Sequence, residues 1–151
     1  MKISEYADST IIREYERRFN NVREQLNSAT NALKHARELL LDSKLEKDRE
    51  HFGVLFLDGQ HKLIESKVMF SGTINTAAVF PREIIKDVLK LEASAVILCH
   101  NHPSGAVSPS SSDRAVTKKI KTACSSIDVD VLDHIIIGGA EYTSMEKMGM
   151  I

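Results

Sequence analysis

The sequence predicts an α/β domain in which a mixed β-sheet is flanked by helices. Three observations support this fold class. Helical periodicity dominates roughly the first fifty residues, short apolar segments rich in β-branched residues follow it, and helical stretches separate several of those segments. A chain of 151 residues suits a single domain with a substantial core. Folding therefore does not require disulfides or a structural metal.

Composition and charge narrow the class of protein further. Apolar residues make up 42% of the chain and charged residues 27%, which is typical of globular proteins. The net charge of −1 gives no overall attraction to nucleic acid or acidic membranes. The two cysteines have no C-x-x-C spacing, and no apolar stretch reaches the roughly 20 residues that span a bilayer. We therefore expect a soluble, cytoplasmic protein without a membrane partner.

The N-terminal part has a stripe of small and apolar residues at helical spacing. From Tyr15 to Leu40 these residues recur every three or four positions. The stripe predicts two helices, at about 9–27 and 29–43, and Ser28 is a suitable N-cap for the second. Packing onto the rest of the domain explains the stripe, and a helical contact in a homodimer is the alternative.

The remaining elements follow in a clear order. "HFGVLFLD" predicts a buried strand, Asp58-Gly59 a hairpin turn, and "KLIESKVMF" the returning strand. A helix is predicted at about 81–92, with Pro81 in its first turn, followed by the buried strand "SAVILCH". After the loop 103–109, the sequence predicts a helix in "SSSDRAVTKKIKTACSSI", a buried strand in "VDVLDHIIIGG" and a short edge strand in "EYTS".

The end of the strand "SAVILCH" has the residues for a metal site. His100 and His102 are two positions apart, so both imidazoles face the same side, and Asp113 lies in the first turn of the next helix. Two histidines and one carboxylate suit a catalytic zinc with an open position for water. However, Ser110 and Asp113 also have the spacing of a helix capping box. These residues alone leave both interpretations open.

Several separated segments resemble a known family. His100-x-His102, then seven residues, Ser110, two residues and Asp113 resembles the JAMM motif of the JAB/MPN metalloprotease domain. "HNHPSG", "LDHIIIGG", "REHFGVLFLD" and "SGTIN" resemble its RadC branch in particular. The resemblance implies a JAB/MPN-like curved, mixed sheet flanked by helices over residues 28–151. Residues 1–27 then form an N-terminal helical extension.

The resemblance also implies roles for site residues. It implies that His100, His102 and Asp113 hold zinc, that Glu50 is the general base, and that Ser110 stabilises the tetrahedral intermediate. The implied activity is zinc-dependent hydrolysis of peptide or isopeptide bonds in a protein or peptide substrate, including a ubiquitin-like conjugate. Taken alone, Glu50 is one more charge in the cluster "EKDRE". His134 lies in a predicted buried strand, so we interpret it as a core or supporting histidine rather than a ligand.

Two other functions stay open at this point. RadC-type proteins are associated with DNA repair, and Arg114, Lys118, Lys119 and Lys121 lie on one predicted helix that could contact phosphates. The same residues also suit an ordinary solvated helix face. The third interpretation is a non-catalytic module for protein interaction, which we disfavour because every motif position is filled. Full-length RadC proteins usually begin with a helix-hairpin-helix segment, for which residues 1–27 are too few.

Overall fold

The computed structural model describes residues 23–151, which form three helices and five strands. The helices are α1 (Ala29–Leu40), α2 (Pro81–Leu91) and α3 (Ser111–Ser125). The strands are β1 (His51–Leu57), β2 (Leu63–Ser71), β3 (Ala95–Asn101), β4 (Asp130–Gly138) and β5 (Glu141–Ser144). Within this part of the chain, no helix combines the length and the apolar character needed to cross a bilayer.

The five strands form one mixed sheet in the order β2-β1-β3-β4-β5. β3 and β4 are parallel and are joined through α3, whereas the other neighbouring pairs are antiparallel. The pairing register shifts beside Phe52, Phe56 and Val96. Such irregularities bend and twist a sheet. The prediction of an α/β fold with a mixed sheet flanked by helices is confirmed.

Helices cover both faces of the sheet, so every residue of β1 and β3 is buried. α2 and α3 pack on the face formed by the even-numbered residues of these strands, and α1 packs on the odd-numbered face. A Cβ atom at Gly53 would lie 2.6 Å from Cδ2 of Leu39. The glycine therefore lets α1 lie directly against β1. The second predicted helix does pack on the domain, as its stripe of small and apolar residues indicated.

The first predicted helix, at about 9–27, falls mostly outside the described residues. Over residues 23–27 the prediction is wrong, because the chain is extended there and Gln25 forms an antiparallel bridge with Lys62. Leu26 donates its N–H to the carbonyl of His61, and Leu63 donates to the carbonyl of Glu24. Backbone groups at the start of β2 and just before it thus form the hydrogen bonds that residues of a helix would form with one another.

Candidate metal centre

Two elements meet at the site. β3 ends with His100 and Asn101, His102 follows directly, and Asp113 is the third residue of α3. His100 is on the face of β3 that packs against α2 and α3, whereas Cys99 is buried on the opposite face with α1. The alternation of a strand therefore turns His100 towards the first turn of α3 and Cys99 away from it.

The structure brings the three predicted zinc ligands together. Nε2 of His100 lies 2.9 Å from Nε2 of His102. Oδ1 of Asp113 is 3.1 Å from Nε2 of His100, and Oδ2 is 3.2 Å from Nε2 of His102. Two ligand atoms of a tetrahedral zinc, each about 2.1 Å from the ion, are about 3.4 Å apart. The three side chains therefore converge at nearly the separation that a shared zinc requires.

Asp113 also forms the capping box that its spacing predicts. Its backbone N–H donates to Oγ of Ser110 at 3.0 Å, and its Oδ2 accepts from the backbone N–H of Ser110 at 2.9 Å. Burial by itself raises the pKa of the Asp113 carboxyl, but contact with the His100 imidazole and the hydrogen bonds with Ser110 hold that pKa below its usual range. The cap thus fixes an ionised carboxylate in the orientation that faces both histidines.

The other nitrogen of each imidazole has its own partner. Nδ1 of His102 lies 2.9 Å from the carbonyl oxygen of Ala106, and Nδ1 of His100 lies 2.7 Å from Nε2 of His134. His134 is fully buried, and this burial lowers its pKa well below the usual range. His134 therefore supports the site from behind His100, which agrees with its interpretation as a supporting residue rather than a ligand.

The chemistry of these donor atoms fits a cation. A backbone carbonyl only accepts hydrogen bonds, so the contact with Ala106 assigns the hydrogen of a neutral His102 to Nδ1. Nε2 of His102 then presents a lone pair to the carboxylate of Asp113, which is also only an acceptor. Acceptors in such contact repel one another unless a positive charge lies between them. The residues present therefore fit a zinc ion.

Glu50 lies beside this cluster, immediately before β1. One ligand atom each of Glu50, His100 and His102 lie within 4.8 Å of one another, which makes these three residues a candidate metal-binding group as well. Oε2 of Glu50 accepts a hydrogen bond from the backbone N–H of Ile74 at 3.1 Å. This bond orients the half-buried carboxylate. No pattern in the sequence indicates the contact with Ile74, because that contact depends on the path of the segment after β2.

A cleft of about 580 Å³ opens onto the site. Glu50, His102 and Ser110 line it together with residues of the neighbouring loops: Asp48, Arg49, Gly72, Thr73, Pro103 and Ser104. Ser110 is exposed, and its Oγ is engaged as an acceptor by the N–H of Asp113. Its hydroxyl hydrogen can therefore be donated towards the cleft. The general base and the stabilising hydroxyl expected from the sequence share one accessible wall with His102.

The loop after His102 is held close to β4 by a glycine. A Cβ atom on Gly138 would lie 2.4 Å from the carbonyl oxygen of Gly105 and 2.7 Å from that of Ala106. The backbone N–H of His102 donates to the carbonyl of Ile137 at 2.8 Å. The absence of a side chain at position 138 thus lets the loop reach the position from which Ala106 contacts the ring of His102.

The fold and this cluster define a JAB-type α/β domain with a candidate metal site, an arrangement compatible with a hydrolase. The family model described as "RadC-like JAB domain" matches residues 26–150 of the chain. The protein belongs to this family, and the resemblance found in the sequence is confirmed. The match begins at residue 26, so it takes in nearly all of the described structure.

Proposed function

We propose that the protein is a zinc-dependent hydrolase of peptide or isopeptide bonds. One observation carries the proposal. The Nε2 atoms of His100 and His102 and the carboxylate of Asp113 meet within 3.2 Å of one another, beside an open cleft. Membership of the JAB family and the position of Glu50 on the cleft wall support it.

His100, His102 and Asp113 would hold the zinc. Two histidines and one carboxylate leave an open position on zinc, which lowers the pKa of a bound water to about 7 and polarises a carbonyl. The role of Glu50 is to accept the proton of the attacking water and to return it to the leaving amine. The hydrogen bond from Ile74 engages Oε2 of Glu50, which leaves Oε1 to receive that proton.

Ser110 has the complementary role. Attack on an amide carbonyl places negative charge on the carbonyl oxygen, and a positioned hydroxyl stabilises that charge in the transition state. The capping interaction with Asp113 fixes Oγ of Ser110 at the start of α3, so the donor does not have to be oriented during the reaction. We propose that the substrate is a protein or peptide, including an isopeptide-linked conjugate, because the cleft is open and lined largely by polar residues.

The test is hydrolysis of peptide and isopeptide libraries by the zinc-loaded chain, the chelator-treated chain and the His100→Ala/His102→Ala variant. We expect cleavage by the zinc-loaded protein, loss after chelation and recovery on adding zinc back. The double variant should stay inactive at every zinc concentration. A library cleaved equally by the chelated protein would contradict a role for the metal, and no cleavage by a chain that carries zinc would contradict the hydrolase proposal.

Nucleic-acid association is the second candidate, and one observation favours it. Arg114, Lys118 and Lys121 are exposed and recur four and three residues apart on α3, so they share one face of the helix. Binding through phosphates would weaken steeply with salt and would not need zinc. We expect duplex DNA to distinguish the two functions when it is titrated at two salt concentrations with chelator present. The Arg114→Gln/Lys118→Gln/Lys121→Gln variant is the control.

A further inference from the structure

We propose that Thr117 and His134 are positioning residues that set the tautomer of His100, so that its Nε2 carries a lone pair facing His102 and Asp113. The inference rests on the proposed function, because it explains how a neutral imidazole is prepared for a metal. It goes beyond that function by assigning roles to two residues that touch neither the cleft nor the predicted ligand atoms. The sequence pattern alone indicated no role for Thr117.

The direction of the hydrogen bonds is set at one end by a backbone carbonyl. Oγ1 of Thr117 lies 2.7 Å from the carbonyl oxygen of Asp113, and that oxygen can only accept. We assign the single hydroxyl hydrogen of Thr117 to this bond. Oγ1 of Thr117 also lies 2.5 Å from Nδ1 of His134. Since the hydroxyl hydrogen is already engaged, the hydrogen in this second contact belongs to Nδ1 of His134.

The position of the hydrogen on His134 in turn fixes the position of the hydrogen on His100. A neutral imidazole with its hydrogen on Nδ1 has a lone pair on Nε2. Nε2 of His134 lies 2.7 Å from Nδ1 of His100, so Nδ1 of His100 must supply the hydrogen of that contact. A neutral His100 with its hydrogen on Nδ1 then presents the lone pair of Nε2 towards His102 and Asp113.

Burial makes this chain of bonds effective. Thr117 is 3% exposed, and both His100 and His134 are fully buried, so water does not compete for their hydrogen bonds. Phe52 packs against both rings, with centroid distances of 6.2 Å to His100 and 5.5 Å to His134. Unmet hydrogen-bonding groups are costly in such surroundings. Loss of the Thr117 hydroxyl should therefore move the ring hydrogens of His134 and His100 to their other nitrogens, because water cannot reach these groups to replace the lost partner.

This series of hydrogen bonds begins and ends at the same residue, Asp113. Its first acceptor is the backbone carbonyl of Asp113, and its last nitrogen, Nε2 of His100, lies 3.1 Å from the carboxylate of the same residue. The first turn of α3 thus determines both where the anionic side chain stands and which nitrogen of His100 faces it. β4 contributes His134 as the link between the two.

Two matched substitutions at Thr117 test the proposal by zinc affinity. Thr117→Val has nearly the same shape but lacks the hydroxyl, so a hydrogen on Nδ1 of His134 loses its acceptor. His134 should then carry its hydrogen on Nε2 and force that of His100 onto Nε2. We expect zinc to bind about 10- to 100-fold more weakly, the range found for partners of metal-bound histidines. Thr117→Ser keeps the hydroxyl and should bind zinc like the wild type.

The order of the two variants separates positioning from packing. If Thr117 only filled space, Ser would be the more harmful change, because it removes a buried methyl group whereas Val keeps the volume. Thermal unfolding of both variants without metal measures that packing contribution. Wild-type zinc affinity in a folded Thr117→Val variant would overturn the proposal.

The second readout is nitrogen-15 NMR of the histidine rings, which needs no variant and no activity. In the wild-type chain without metal, we expect hydrogens on Nδ1 of His100 and Nδ1 of His134, and a bare Nε2 on His134. In Thr117→Val the hydrogen of His134 should move to Nε2. A wild-type His134 with its hydrogen on Nε2 would overturn the assignment. The expected tautomers in a chain that takes up no zinc would support the assignment while contradicting the proposed function.

Discussion

The Nε2 atoms of His100 and His102 lie 2.9 Å apart, and the carboxylate of Asp113 contacts both of them. Each ring is held at its opposite nitrogen, His102 by the carbonyl of Ala106 and His100 by His134. We infer that these hydrogen bonds place a hydrogen on Nδ1 of each ring. The Nε2 atoms that face Asp113 are then acceptors. This relationship links the packing of β3, β4 and α3 to the proposed chemistry.

Glu50→Gln should separate a general base from a metal ligand. The amide keeps an oxygen for the N–H of Ile74 but accepts a proton poorly, so we expect a fall in kcat of about 10²- to 10⁴-fold with zinc content unchanged. Elemental mass spectrometry and substrate cleavage measure the two quantities. Glu46→Gln, at an exposed carboxylate in the preceding loop, is the control. Loss of zinc in Glu50→Gln would instead make Glu50 a ligand, as its place in the candidate group allows.

Ser110→Ala should have two effects that a second variant can separate. The loss of the N-cap acceptor should lower the free energy of unfolding by about 1 kcal/mol. The loss of the hydroxyl donor should lower kcat by about 10²- to 10³-fold. In Ser110→Asp, the carboxylate restores the cap but supplies no hydrogen, so stability should recover and activity should not. Full activity in Ser110→Asp would show that the hydroxyl of Ser110 has no part in catalysis.

Gly138→Ala should damage the metal site from a distance. The new Cβ would lie 2.4 Å from a backbone oxygen of the loop after His102, so the loop must move and the contact between Ala106 and the His102 ring should weaken. We expect a loss of about 1–3 kcal/mol in stability together with weaker zinc binding, measured by thermal unfolding and zinc titration. Gly59→Ala is the matched control, because its Cβ would meet only Ser94, at 3.7 Å. Equal behaviour of the two variants would contradict this role of Gly138.

The cysteines should be chemically inert in the folded protein. Burial raises the pKa of the Cys99 thiol to about 12 and that of Cys124 to about 11. The thiolate is the reactive form, so at pH 8 both groups should remain protonated and inaccessible. We expect no labelling by an alkylating reagent at pH 8 in the native state and labelling of both residues in denaturant, as measured by mass spectrometry. Rapid labelling of native Cys99 would contradict the packing of α1 against β3.

Local patterns in the sequence predicted most of the fold. Pro81 indicated the start of α2, the Ser110 cap indicated that of α3, and the two-residue spacing correctly placed the imidazoles of His100 and His102 on the same side. The helix predicted up to residue 27 failed over 23–27, because an edge of β2 far along the chain supplied its backbone partners. Periodicity within a segment carries no information about such a partner.

The candidate site could be predicted only in part for the same reason. The spacing of His100, His102 and Asp113 follows from one strand and one helix that are adjacent in sequence. The contact of Ile74 with Glu50, and that of Thr117 with His134, join elements whose relative position is set by the assembled sheet. The capping box and the metal site were weighed as alternatives in the sequence. In the structure the capping carboxylate of Asp113 also faces both histidines.

The central claim is that His100, His102 and Asp113 hold a zinc ion, and metal content tests it most directly. We would measure zinc by elemental mass spectrometry in chain purified without chelator, alongside the His100→Ala/His102→Ala variant, with circular dichroism to confirm that both are folded. The account predicts about one zinc per wild-type chain and none in the folded variant. No metal in the wild type after incubation with zinc, or equal zinc in both proteins, would contradict it.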